Sequence, residues 1–232
     1  MILKLVCAIY LILSLQGAHA FFGFDEAVNP AALYDQGMQQ LEKGKYSKAV
    51  KSFDKIVTKF PNFINMALVK VRLADAYYGD KKYHYALKLY ERFHLENPFS
   101  EDGAHTLFRM GLCNLQFISK NKGQKYIPYS IAAFERFINL YPENIKVREA
   151  EKNIAFAKKA EAEYQIEVGN YYYKHKDFCA AFNHFDKVFK LEDYGTFKTV
   201  AGYISSCQKN EKCLDEVAAC EFELTEVNSR FR

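Results

Sequence analysis

One spacing recurs along this chain and limits what it can fold into. An apolar residue is followed three positions later by a second, and five positions after that by Pro. It reads Phe53, Ile56, Pro61, then Tyr90, Phe93, Pro98, then Phe134, Phe137, Pro142. A fourth copy, Phe185 and Val188, has Asp193 in the Pro position. Ala49, Ala86 and Ala181 each stand four residues before the aromatic. Intervals of three and four put side chains on one helix face, and Pro beyond the last turn stops the helix. A unit of this kind cannot bury its face alone, so neighbours must stack. Positions 49 and 86, 53 and 90, and 61 and 98 all lie 37 residues apart, a period that indicates a helix–turn–helix solenoid.

The pairs can be followed through the sequence. Asn29-Pro30 is a helix start, since Asn caps and Pro suits the first turn. A helix from Pro30 to about Lys43 is followed by a turn at Gly44-Lys45, and Ser47 is the expected cap of the next helix, which ends before Pro61. The second pair runs Ala67 to Tyr78, turns at Gly79-Asp80, and continues from Tyr83 to Leu95 before Asn97-Pro98. The third opens with Ser100 as cap and Glu101 and Asp102 in the first turn, runs to Phe117, and crosses a longer polar loop, Ser119 to Tyr129. Its second helix ends at Tyr141. A long helix, Val147 to Lys174, pairs with one capped by Asp177. A degenerate last pair, about Gly195 to Asn228, is expected to close the array.

Residues 1–20 read as a secretory signal: Lys4, an apolar run from Leu5 to Leu15, and Ala18-His19-Ala20 as the cleavage pattern. That leaves 21–28 as a short linker and 29–228 as the repeat domain. The chain is half apolar with 20 Phe and 17 Tyr, which suits a packed core. Net charge is +4, and Lys is interspersed with Asp and Glu without a basic block, so nucleic acid is not an expected partner. Five Cys follow the leader: Cys113, Cys179, Cys207, Cys213 and Cys220. An odd number cannot all pair within one chain. Cys207 and Cys213 flank a polar turn and could form a disulfide across a hairpin; buried free thiols are the alternative.

The repeats resemble the tetratricopeptide pattern. Gly37, Ala49, Phe53 and Pro61 take its Gly, Ala, aromatic and Pro positions, as do Ala74, Tyr77, Ala86, Tyr90 and Pro98, then Gly169, Tyr172, Ala181 and Phe185. The expected fold class is thus all-α, a tetratricopeptide-repeat solenoid of about five helix–turn–helix pairs. The whole array, about residues 28–225, resembles the BamD family of outer membrane protein assembly factors. The phrases that carry this are Leu41-x-x-Gly44-x-Tyr46-x-x-Ala49, Leu73-Ala74-x-Ala76-Tyr77-Tyr78, Met110-Gly111-Leu112, Ala133-Phe134-x-x-Phe137 with Tyr141-Pro142, and Ala162-Glu163-Tyr164 to Tyr171-Tyr172.

That resemblance implies a non-enzymatic scaffold at the periplasmic side of the outer membrane. It would bind the periplasmic domains of the barrel-forming BamA subunit and other assembly-complex subunits, and help recognise and insert unfolded outer-membrane proteins. A periplasmic coordinator of cell-envelope or division machinery is the alternative. Two departures from the family stand out. Cys7 lacks a lipobox, so either the true anchor is missing from this sequence or the protein associates peripherally, held at the membrane by its partners. Asn183 is followed by His184, where Arg is frequent in the family.

Tetratricopeptide register places Tyr34, Met38, Arg72, Asp75 and Tyr78 on first helices, where an extended peptide would meet aromatic faces and a guanidinium. Asn170, Tyr173 and His184 form the expected partner-binding set in the C-terminal repeats. If His184 meets an acidic group, partner binding should strengthen as pH falls through about 6.5. Within Tyr171-Tyr172-Tyr173, Tyr172 fits a packed position and Tyr173 the groove. No catalytic motif, phosphate loop or metal spacing is present, so no catalytic residue, cofactor or metal is expected.

Overall fold

Asn29 and Pro30 do at the start of the first helix what their chemistry dictates. The Asn29 side-chain oxygen accepts from the Ala31 N–H at 2.9 Å, and Pro30 occupies the first turn, where no N–H is needed. The computed structural model describes residues 29–97, 100–118 and 124–191. Among them are eight α-helices and no strand. These are α1 (Pro30–Glu42), α2 (Tyr46–Lys59), α3 (Met66–Gly79), α4 (Tyr83–Glu96), α5 (Gly103–Phe117), α6 (Ile127–Leu140), α7 (Val147–Lys174) and α8 (Phe178–Lys190). A 3₁₀ turn, Gln124–Tyr126, leads into α6. This is the helical tetratricopeptide architecture. The expected last pair and Cys207, Cys213 and Cys220 lie outside the described residues, as does the expected leader.

The chain divides into two compact units after Asp80. In the first, α2 packs against both α1 and α3. Ala49, Phe53 and Ile56, the repeated triplet, have no exposed surface. In the second unit each helix from α4 to α8 packs on its successor. One cluster joins Leu107, Phe108, Leu115, Ile127, Phe134, Phe137, Ala150 and Ala157; another joins Ala162, Ala181, Phe185 and Val188. Both draw on α7, whose 28 residues are long enough to face α6 with the first half and α8 with the second.

Three close approaches follow one rule. A Cβ on Gly37 would stand 2.6 Å from the Phe53 ring, one on Gly111 2.6 Å from Phe134, and one on Gly169 2.5 Å from Phe185. The first helices α1, α5 and α7 thus present a bare backbone to the aromatic of their partners, while α3 carries the small Ala74 at the corresponding position, sixteen residues before Tyr90. Gly37–Phe53 and Gly169–Phe185 are each sixteen residues apart, and Gly111–Phe134 twenty-three, so the longer loop inserts residues without disturbing the contact. Ser130 replaces the small Ala of the other repeats; it is buried, and its hydroxyl donates to the Gly111 carbonyl at 3.1 Å.

Several local expectations are corrected. Ser47 does not cap α2: the N-cap is Lys45, without a side-chain bond, and the Ser47 hydroxyl donates to Asp80 Oδ1 at 2.6 Å. Gly79 is not a turn residue. It ends α3 with its backbone against the Tyr46 ring, leaving no room for a Cβ. The left-handed turn position of that repeat is Lys81, at φ 59°, matching Gly44 at φ 66° and Lys176 at φ 61° in their repeats. The α5 helix starts at Gly103, so Glu101 and Asp102 precede its first turn, and Ser100 Oγ accepts from the Asp102 N–H. The polar loop ends earlier than expected, because Pro128 sits in the first turn of α6.

Candidate functional site

Two surfaces carry the candidate residues, one in each unit. In the first unit, α1 supplies Tyr34 and Met38 and α3 supplies Arg72, Asp75 and Tyr78. The two helices touch directly. Tyr34 is half-buried, its ring edge-on to Phe53 with centroids 5.8 Å apart. Arg72 Nη1 donates to Asp75 Oδ2 at 2.9 Å, and the two side chains are 23% and 8% exposed. A carboxylate that deeply buried needs its partner, and one turn of helix delivers it. The pairing fixes the direction of a permanently charged guanidinium; Met38 and Tyr78 are each half-buried. Five residues are thus divided into a tyrosine held by a core ring and an arginine held by a buried acid.

In the second unit the partner-binding set falls on α7 and α8. Tyr172 stacks on the His184 imidazole, centroids 5.5 Å apart and planes 11° from parallel, so it occupies the packed position expected of it. Tyr173, expected at a groove, is half-buried and edge-on to Phe178 at 5.6 Å. Tyr171 carries the exposure instead, at 58%, with its ring over His175 at 4.2 Å. Asn170 has its Oδ1 buried, without a hydrogen-bond partner among the described residues.

Sequence reading passed over two side chains that define His184. Gln165 is 6% exposed; its Nε2 donates to Glu161 Oε1 at 2.5 Å, and its Oε1 lies 2.6 Å from His184 Nδ1. Glu161 and Gln165 are four apart, a spacing that signals contact on a helix. The approach of His184 from nineteen residues away has no local signal. Burial holds the His184 imidazole below its ordinary pKa, and the nearby Lys187 charge adds to this.

Other features sharpen what the site can do chemically. Among the described residues no group of three or more His, Cys, Asp or Glu could hold a metal ion, and no helix is long and apolar enough to cross a membrane. A cavity of about 420 Å³ along α4, lined by Lys88, Leu89, Glu91, Arg92 and Leu95, brings no nucleophile to a base. Of the cysteines, Cys113 is a buried thiol outside any disulfide, as one alternative had it, whereas Cys179 is disulfide-bonded. Between them the two surfaces present aromatic faces, one guanidinium paired with a buried acid and one oriented imidazole.

A profile for YfiO, described as an outer membrane lipoprotein, matches residues 26–219. Proteins named outer membrane protein assembly factor BamD are similar at modest identity. The Rickettsia prowazekii protein is 28% identical over 198 residues, 83% of this chain and 77% of its own length. The Pasteurella multocida protein is 23% identical over 162 residues, 65% of this chain and 62% of its own length. The Vibrio cholerae protein is 22% identical over 167 residues, 67% of this chain and 69% of its own. The chain therefore spans about three-fifths to three-quarters of the length of these relatives. Among solved structures, a MamA RS-1 double mutant is 24% identical over 71% of this chain and 75% of its own, at a TM-score of 0.41.

Proposed function

The chain belongs to the YfiO family of outer membrane lipoproteins, and from that membership we propose that it is a non-enzymatic scaffold for assembling β-barrel proteins at the periplasmic side of the outer membrane. The α1–α3 surface takes extended segments of unfolded barrel proteins. The α7–α8 surface takes the periplasmic domains of the barrel-forming BamA subunit.

The observation that carries this reading is the extent of the family match. It runs from residue 26 to 219 and takes in every described helix of both units. A single tetratricopeptide pair would support only a scaffold of unspecified use. The chemistry of the first unit is compatible with the role. Aromatic faces accept varied apolar side chains, and a guanidinium fixed by a buried acid pairs with a carboxylate in a defined direction. The BamD relatives, named as assembly factors, support the same class of activity.

The test is co-purification. Tagged full-length chain is expressed in its own envelope, solubilised mildly and captured, and the bound proteins are identified by mass spectrometry. BamA at near-stoichiometric yield is expected. Capture of peptidoglycan or division proteins without BamA would replace this function with the alternative coordinator role.

A further inference from the structure

The hydrogen-bond chain behind His184 fixes which nitrogen carries the proton. The Gln165 amide turns its NH₂ toward the Glu161 carboxylate, Nε2 donating to Oε1 at 2.5 Å. The Gln165 carbonyl oxygen is then the atom facing His184 Nδ1, at 2.6 Å. That oxygen also can only accept. Nδ1 must therefore be the protonated nitrogen, and in the neutral ring Nε2 is left with its lone pair. Each step follows from the donor and acceptor capacity of its neighbour, starting from a carboxylate that has no choice.

The ring is held in this orientation from two further sides. Tyr172 lies nearly parallel to it, planes 11° apart, which blocks rotation about the ring axis. Gln165 is 6% exposed, and the bond from His184 satisfies its oxygen. His184 itself is half-buried, and among the described residues Nε2 has no hydrogen-bond partner. The charged and titratable groups facing the ring among those residues are Glu161, acting through Gln165, Tyr172 on the same helix, and Lys187 on α8. The Glu161 carboxylate polarises the chain so that electron density accumulates at Nε2. Burial and Lys187 both oppose a second proton on the ring.

We infer that His184 meets its protein partner as a neutral hydrogen-bond acceptor at Nε2, and that the partner presents an N–H or O–H donor there rather than a carboxylate. This rests on the partner-surface reading of α7–α8 proposed above and reverses the polarity expected from sequence. An imidazolium would have suited an acidic partner and bound it better at low pH. An acceptor loses its lone pair on protonation, so binding weakens as pH falls. Release of one proton on binding limits the change to about tenfold per pH unit below the His184 pKa.

The experiment has two arms on the full chain. The first reads the imidazole nitrogens by NMR in the free protein at pH 8. The Nδ1–H tautomer is expected at His184, shifting toward a mixture in Gln165→Leu. A dominant Nε2–H tautomer in the wild type would overturn the proposal, whatever the partner does. The second arm measures affinity for the purified periplasmic region of BamA from pH 5.5 to 8 with wild type, His184→Gln and His184→Arg. Gln carries an acceptor oxygen close to the Nε2 position and does not titrate. It should bind within about threefold of wild type at pH 8 and flatten the pH response that remains after the partner's own titration. His184→Arg, a pure donor, should weaken binding at least tenfold at pH 8. Equal or tighter binding by His184→Arg, or wild-type affinity that rises as pH falls through a step absent from His184→Gln, would overturn it. No binding by the wild type at any pH would remove the partner contact and the BamA reading together, while the tautomer would still decide the polarity of the site.

Discussion

Gly111→Ala isolates the glycine–aromatic contact that three of the repeats share. The new Cβ would stand 2.6 Å from both Cε1 and Cζ of Phe134 and 2.8 Å from Cδ1. Carbon atoms rest about 3.5–4 Å apart, so the ring would have to withdraw by roughly 1 Å. It has nowhere to go. Phe134 has no exposed surface, and Phe108 meets it edge-on at 5.5 Å while itself packing on Phe137 at 5.4 Å. Overpacking of this kind costs about 1–3 kcal/mol. In the middle of a helix, Ala is favoured over Gly by about 1 kcal/mol. Three ring atoms clash and the ring is immobile, so the cost falls at the upper end and the net loss is about 1–2 kcal/mol. In a chain of this size that lowers Tm by about 2–4 °C per kcal/mol. The assay is urea and thermal unfolding followed by circular dichroism, with Gly111→Ala/Phe134→Leu as the companion. The smaller, flexible Leu should recover part of the loss, so the double mutant should be less destabilised than the sum of the singles. A Gly111→Ala protein as stable as wild type, or strictly additive single mutants, would refute the reasoning.

Other outcomes follow from single groups. His94 is 7% exposed with neither ring nitrogen hydrogen-bonded, and burial followed by the Arg136 charge holds its folded pKa below the ordinary value. The unfolded chain takes up that proton first, so stability is full above about pH 6.5 and is lost as pH falls through the folded pKa; urea midpoints from pH 7.5 to 5 should decline less in His94→Leu, and an identical slope would exclude His94 as a source. Asp177 Oδ1 accepts from the Ala180 N–H at 3.0 Å, so Asp177→Ala should cost about 1 kcal/mol in a denaturant titration while Asp177→Asn costs a few tenths; equal stability of both would dismiss the cap. Tyr34→Ala with Tyr78→Ala should weaken binding of barrel-protein C-terminal peptides by about 1–2 kcal/mol per ring, read by calorimetry on a variant shown to be folded. Unchanged affinity would remove these tyrosines from the peptide surface.

The sequence by itself determined the helices, their order and the residues they bury. Phe53, Ile56, Tyr90, Phe134, Phe137, Phe185 and Val188 are all interior, because spacings of three and four on a helix leave no other way to cover an apolar face. Caps that act within two or three residues, at Asn29 and Asp177, were equally legible, since both partners lie in the same short segment. The structure alone decided which small residue served which purpose. Gly44 and Gly79 look alike in sequence, yet one supplies a left-handed turn and the other clears space for Tyr46, and Lys81 takes the turn that Gly79 was expected to make. Ser47 and Ser130 likewise found partners at Asp80 and Gly111, thirty-three and nineteen residues away. The same limit applies to the candidate sites. Register placed Arg72 beside Asp75 because they share a turn of helix. It could not place Gln165 against His184, nor could it say that Tyr171 rather than Tyr173 faces outward. Those depend on how α8 rotates and seats on α7, a degree of freedom set by the fit of Phe185 against the bare backbone of Gly169. Periodicity tells a helix which face to bury; only the packed neighbour decides which polar atoms come within hydrogen-bonding distance.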